Sequence, residues 1–171
     1  MDYDLNPYNL AISTMDEIRE DVRVLLPVLQ AARAELGEER ANRLIFDALR
    51  ASRRELYKQI GVRFPGSPKE KWDAMNAALY PVRIRENEFE IETLREDPEA
   101  HEFNVTRCKF AEFFQKIGEL ELGVVLMCDG DFQVVEEVAS PEVELTRTQT
   151  LMQGGCCCDY RYRIKSNSTP E

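Results

Sequence analysis

Glu88-Phe89-Glu90-Ile91-Glu92-Thr93 alternates an acid with an apolar or β-branched residue at every step. That is the period of a strand with one wet face and one dry face. Phe89, Ile91 and Thr93 fall on the dry side, and Phe103 and Val105, flanking Asn104, repeat the pattern shortly afterwards. Two such runs so close together predict antiparallel strands. Upstream of about Val82 the periodicity is different. Met15, Ile18, Val22, Leu25, Leu29, Ala32 and Leu36 follow one another in steps of three and four, which draw a single stripe on a helix. Thr14 to Glu17 has the spacing of a capping box at its start. Pro27, inside the stripe, predicts a kink or break before a stop at Gly37.

A second helix is expected over residues 38–60, opened by Glu38 and Glu39 and stopped by Gly61. Its apolar side carries Leu44, Ile45, Ala48, Leu49, Leu56 and Ile60, and its many basic residues read as solvated surface. Ser67-Pro68-Lys69-Glu70 joins an N-cap, a proline at the first helical position and a capping-box acid. It predicts a third helix to about Leu79, anchored on the core by Trp72. Beyond the strands, Thr106 is placed to cap a helix reaching Gly118, and residues 119–128 read as another short helix. Residues 143–152 and 158–164 read as two further strands, joined through Gly154-Gly155. The fold class that follows is α+β, a helical N-terminal half packed on a small antiparallel sheet formed mainly by the C-terminal half. Residues 1–165 make one domain, and residues 166–171 a flexible tail.

A chain of 171 residues buries roughly two-thirds of its unfolded surface without staples. A net charge of −10 opposes phosphate backbones, which excludes nucleic acid as a natural partner. No run of 18 apolar residues is present to span a bilayer, and there is no basic segment leading into an apolar one, so neither membrane nor secretion is indicated and the default compartment is the cytoplasm. The first apolar stripe fits its own core best and leaves a homo-oligomer open. Five cysteines include the adjacent Cys156, Cys157 and Cys158, which cannot bridge one another without strain and read as thiols.

All five cysteines and the single histidine, His101, lie after residue 100, so the reactive chemistry gathers in the second half. No nucleophile elbow, phosphate loop, dinucleotide fingerprint or paired-histidine zinc motif occurs. His101 follows an acidic, proline-containing turn and reads as surface or strand-edge packing. On a strand over residues 158–164, Cys158, Tyr160, Tyr162 and Ile164 share one face, with Asp159, Arg161 and Arg163 on the other. Cys158 thus points toward the core or a pocket in it, and both an inert buried thiol and a nucleophile satisfy that position. Cysteine spacing gives no zinc pattern, so neither metal nor cofactor is expected.

One ordered series carries more. It runs Asn104-Val105-Thr106-Arg107-Cys108, Ala111-Glu112-Phe113-Phe114, Gly118, Glu121-Leu122-Gly123 and Cys128-Asp129-Gly130-Asp131. It continues with Thr146-Arg147-Thr148-Gln149-Thr150, Gly154 and Cys157-Cys158-Asp159-Tyr160-Arg161-Tyr162. Over about residues 102–162 this resembles the L-2-amino-thiazoline-4-carboxylic acid hydrolase family, departing from its pattern at Tyr160, where phenylalanine is expected, and in the triple cysteine. The resemblance implies a small-molecule substrate, a cyclic isothiourea opened by water to N-carbamoyl-L-cysteine. In that reading Cys158 is the nucleophile, with Asp131 or Asp159 orienting the amidine nitrogens. Arg107 or Arg147 holds the substrate carboxylate, and Asn104, Cys108, Glu112, Cys128 and Thr150 belong to the pocket. A competing mechanism activates water through Asp131 or Glu112. A non-catalytic sensor binding a small molecule or metal through its cysteines is the alternative of a different class.

Overall fold

The computed structural model describes residues 13–83 and 88–165, with backbone only for 79–83. The tail expected over residues 166–171 lies outside these described residues. Among the described residues, five helices and a four-stranded sheet make an α+β fold, as the change of period predicts.

Helix α1 spans Thr14–Leu36. Its cap is Ser13 rather than the expected Thr14: the Ser13 hydroxyl accepts the Asp16 backbone N–H at 3.2 Å. The helix runs unbroken through Pro27. Pro27 and Arg23 are both exposed, so water is at hand for the carbonyl that the proline leaves without a donor. Gly37, at φ 80°, ends the helix, in a conformation that costs a glycine little.

Helix α2, Glu38–Val62, continues through Gly61. That glycine is a packing device and not a stop: a Cβ there would lie 3.2 Å from Val138 Cγ2. The basic face of α2 also differs from the solvated surface expected. Arg50 pairs with Asp129 at 2.7 Å, Arg54 with Glu136 at 2.8 Å and with Glu137, and Lys58 with Glu137. The charges tie α2 to a helix distant in sequence. Helix α3, Pro68–Arg83, passes the expected end at Leu79. Trp72 packs 5.5 Å from the Tyr162 ring.

Strands β1, Phe89–Asp97, and β2, Ala100–Cys108, are longer than the alternation alone suggested. Strand β2 carries through Thr106 to Cys108, which takes the N-terminal position of α4, Lys109–Ile117, in place of Thr106. A helical run over residues 120–139, α5, alternates α turns at Leu120–Gly123 and Asp129–Val134 with π turns at Val124–Cys128 and Val135–Ala139. The sequence reading ended this helix at Cys128. Strand β3 is only Val143–Thr146, and Leu151–Gln153, expected within or beside that strand, is a 3₁₀ turn. Strand β4 is Cys158–Ile164. The order is β1-β2-β4-β3, antiparallel throughout.

The core lies where α1, α2, α4 and α5 meet and centres on Leu29, Phe110, Phe114 and Leu122, all fully buried. Burying each such side chain is worth about 1.5–3 kcal/mol. A polar clip closes one end: Arg33 donates to Asn42 at 2.7 Å and to Glu119 at 2.7 Å, and Asn42 donates to Glu121 at 2.9 Å. No helix among the described residues is long and apolar enough to cross a membrane.

Candidate active site

Strand β4 lies between β2 and β3, and antiparallel pairing puts directly opposed residues on the same face. Val105 opposes Cys158, Phe103 opposes Tyr160 and His101 opposes Tyr162, while Asn104 opposes Asp159. The thiol of Cys158 and the ring of Tyr160 therefore face one way, and Asn104 and Asp159 the other. Phe103 stacks on Tyr160 with ring centroids 4.8 Å apart and fixes its plane. His101 packs edge-on against Phe103 at 4.9 Å.

Arg147 follows the end of β3 and projects onto the Tyr160 side. Its orientation is set from behind by Asp159, whose carboxylate accepts from Thr148 N at 2.9 Å, Thr148 Oγ1 at 2.6 Å and Gln149 N at 2.9 Å. Burial works to raise the Asp159 pKa, yet the donors from Thr148 and Gln149 hold it below the usual value. With Thr148 bound to that side, the neighbouring Arg147 turns to the other.

There the guanidinium is almost enclosed, with 4% of its side chain exposed. Nη1 donates to Asp131 Oδ2 at 2.6 Å and to the Tyr160 hydroxyl at 2.9 Å, and Nη2 donates to the Cys128 carbonyl at 2.9 Å. Tyr160 in turn donates its O–H to Asp131 Oδ2 at 2.7 Å. Both donors fall on one carboxylate oxygen, and Oδ1 takes no hydrogen bond from the described residues, with a third of the Asp131 side chain exposed. The Arg147 guanidinium also lies 4.9 Å from the centre of the Phe132 ring. The carbonyl it holds ends the π turn Val124–Cys128; π turns inside helices often mark functional positions.

Burial raises the Asp131 carboxyl, opposed by the Arg147 charge and the Tyr160 hydroxyl. Arg147 is cationic: burial works against the charge, and Tyr160 and Asp131 more than offset it. Three thiols are within electrostatic reach of Asp131. Burial pushes Cys108 up to about 11 and Cys128 up to about 12, and also raises Cys158. The Cys158 sulfur accepts the Leu151 backbone N–H at 3.2 Å, which favours its thiolate, as the Phe110 and Ala111 backbone N–H groups favour that of Cys108.

Of the residues the sequence nominated, Asp131, Arg147, Cys128, Cys158 and Cys108 come together. Arg107 and Glu112 instead pair with each other at 2.7 Å on the exposed side of the sheet. Asn104 accepts from Arg161 at 2.9 Å on that same face. Thr150 is buried and caps the Leu151–Gln153 turn through its hydroxyl. Tyr160 was not nominated as a site residue, although its alternation with Cys158 already put it on that face. Among the described residues, no group of three or more His, Cys, Asp or Glu side chains is arranged to hold a metal ion.

Residues 18–162 match the family model of L-2-amino-thiazoline-4-carboxylic acid hydrolase. The chain belongs to this hydrolase family. A comparison with curated proteins gives no match. The family match ends at Tyr162 and so takes in every residue of the Asp131–Arg147–Tyr160 cluster. The Tyr160 hydroxyl, which the phenylalanine expected from the resemblance would lack, is the one that binds Asp131.

Proposed function

We propose that this member of the L-2-amino-thiazoline-4-carboxylic acid hydrolase family hydrolyses a small cyclic isothiourea or a related nitrogen and sulfur heterocycle, with Asp131 as the base. The observation that carries this reading is the half-occupied carboxylate of Asp131, with Arg147 and Tyr160 on Oδ2 and no described residue on Oδ1. A carboxylate fixed through one oxygen presents the other in a defined direction, as a general base requires.

In the reaction proposed, water bonds to the ring carbon between sulfur and nitrogen as one of its protons passes to Asp131 Oδ1. The carbon–sulfur bond then breaks with its electron pair on sulfur, which takes the proton back from Asp131. The new hydroxyl releases its proton to solvent as the ureido carbonyl forms, the amidinium having carried one proton into the reaction. Arg147 gives three of its five N–H donors to Asp131, Tyr160 and Cys128 and is almost enclosed, so its part is to hold Asp131 and not to clamp the substrate carboxylate.

A second reading makes Cys158 the nucleophile, and the Leu151 N–H on its sulfur favours it. Burial acts against that thiolate, which is why water activated by Asp131 is preferred. Metal-free protein incubated with L-2-amino-thiazoline-4-carboxylate is expected to yield N-carbamoyl-L-cysteine, measured by mass spectrometry. No product from this substrate or from related cyclic isothioureas would refute hydrolysis, and a mass adduct on the Cys158 peptide would replace the water route with the covalent one.

A further inference from the structure

A groove of about 610 Å³ runs between α1 and α2. Its size falls within the range of small-ligand sites. The walls include Val24, Val28 and Leu49, and the floor is Val125 and Leu126 of the π turn. Val24 is 68% exposed and Val28 56%, an apolar rim with no cover from the described residues. Three charged residues line the same space, Arg53 from α2 and Glu20 and Asp21 from α1, and Glu20 is paired with Arg23.

Arg53 differs from its neighbours on α2. Arg50, Arg54 and Lys58 each hold a carboxylate. Arg53 donates through Nη1 to the Leu126 carbonyl and has no carboxylate within ion-pair distance among the described residues. It is half-buried, and a guanidinium placed so keeps donors free for an incoming anion. Asp21 also lacks an ion pair among the described residues. Burial raises its pKa and the nearby Glu17 raises it further, with Arg53 opposing, so a cation entering the groove meets an acid that gains by its arrival.

We propose that the α1–α2 groove binds a small zwitterion, with Arg53 holding its carboxylate and Asp21 its amidinium. The ligand class rests on the hydrolase reading above, since a 2-amino-thiazoline-4-carboxylate carries both charges on one small ring. The groove also adjoins the candidate site. Arg53 Nη1 lies 3.4 Å from where a Cβ on Gly130 would stand, next to Asp131, and the helical run that floors the groove carries Cys128 and Asp131 on its following turns. Arg53 therefore links the groove to the catalytic carboxylate through a few atoms of backbone.

The test is calorimetric titration of Asp131→Asn protein, in which the ligand is consumed at least about 100-fold more slowly. The probes are L-2-amino-thiazoline-4-carboxylate and 2-aminothiazoline, which lacks the carboxylate. The carboxylate compound is expected to bind, with affinity lowered about 10- to 100-fold by Arg53→Gln and about 10-fold by Asp21→Asn. 2-Aminothiazoline is expected to bind at least about 10-fold more weakly and to be indifferent to Arg53→Gln. Binding unchanged by Arg53→Gln, equal affinity for the two probes, or no binding by folded protein each overturns the site. Should Arg53→Gln fail to fold, the two probes on protein retaining Arg53 decide the matter. Binding through Arg53 without product formation by the unsubstituted enzyme sustains this site and overturns only the hydrolysis.

Discussion

Arg147 reaches Asp131 across the end of the sheet, Nη1 to Oδ2 at 2.6 Å, with its guanidinium almost wholly withdrawn from solvent. The two residues come from separate elements, one after β3 and the other from a helical turn, and each satisfies a charge that the other's burial would make costly. Arg147→Met leaves Asp131 partly buried without its counter-charge. A loss of about 2–3 kcal/mol is expected in urea unfolding, below the full range for a buried pair because Asp131 keeps some solvent. Arg147→Met combined with Asp131→Leu should recover part of it. A double variant no more stable than the single one would refute this coupling.

Tyr160→Phe removes one donor from Asp131 Oδ2 and one acceptor from Arg147. The ring remains to stack on Phe103, so folding should persist. Turnover should fall by about 10-fold, the scale of one hydrogen bond to a charged group, with the loss in kcat and not in KM. Steady-state kinetics on both proteins measures it, and an unchanged kcat would remove the hydroxyl from the proposed mechanism.

Gly123 is packed where no side chain fits. A Cβ there would stand 2.6 Å from both Met152 Sδ and the Phe114 ring, and those two side chains are themselves buried. Gly123→Ala is expected to cost about 1–3 kcal/mol by overpacking, read as a fall in the midpoint of thermal unfolding. Gly123→Ala combined with Phe114→Leu, which opens space beside it, should lose less than the two single effects added together.

The buried thiols set a limit at high pH. Cys108 and Cys128 titrate near 11 and 12 when folded, against 9.0 for the ordinary thiol. Between those values the unfolded chain loses protons that the folded chain keeps. The stability they contribute is complete below about 9 and is lost as pH rises through the folded values. The thermal midpoint of the wild type should fall more steeply from pH 8 to pH 10.5 than that of a Cys108→Ala, Cys128→Ala protein. Parallel curves would count against burial as the cause.

Much of this architecture was legible because it is local. The helical stripe of α1, the Ser67-Pro68 start of α3 and the alternation around Ile91 depend on neighbours in sequence and came through. What depended on distant partners did not. Pro27 sits within α1 without breaking it, and Gly61 extends α2 because Val138, far along the chain, packs on it. The basic face of α2 looked solvated until α5 supplied Asp129, Glu136 and Glu137.

The candidate site divides along the same line. Strand alternation already put Cys158 and Tyr160 on one face and Asp159 on the other, so nominating both Cys158 and Asp159 for one pocket conflicted with the strand itself. Only the pairing of β2 with β4 shows that Asn104 shares the Asp159 side. The end of strand pairing after Thr146 has a non-local side too: the Asp159 carboxylate captures Thr148 and Gln149, and Arg147 reaches Asp131.

The most direct measurement is the rate at which wild type, Asp131→Asn and Cys158→Ser form N-carbamoyl-L-cysteine from L-2-amino-thiazoline-4-carboxylate, with circular dichroism confirming that all three are folded. Asp131→Asn should lose at least about 100-fold in kcat, the contribution of a positioned base, and Cys158→Ser should retain activity within about 10-fold of wild type. Turnover that survives Asp131→Asn and disappears in Cys158→Ser would contradict this account and transfer the chemistry to the thiol.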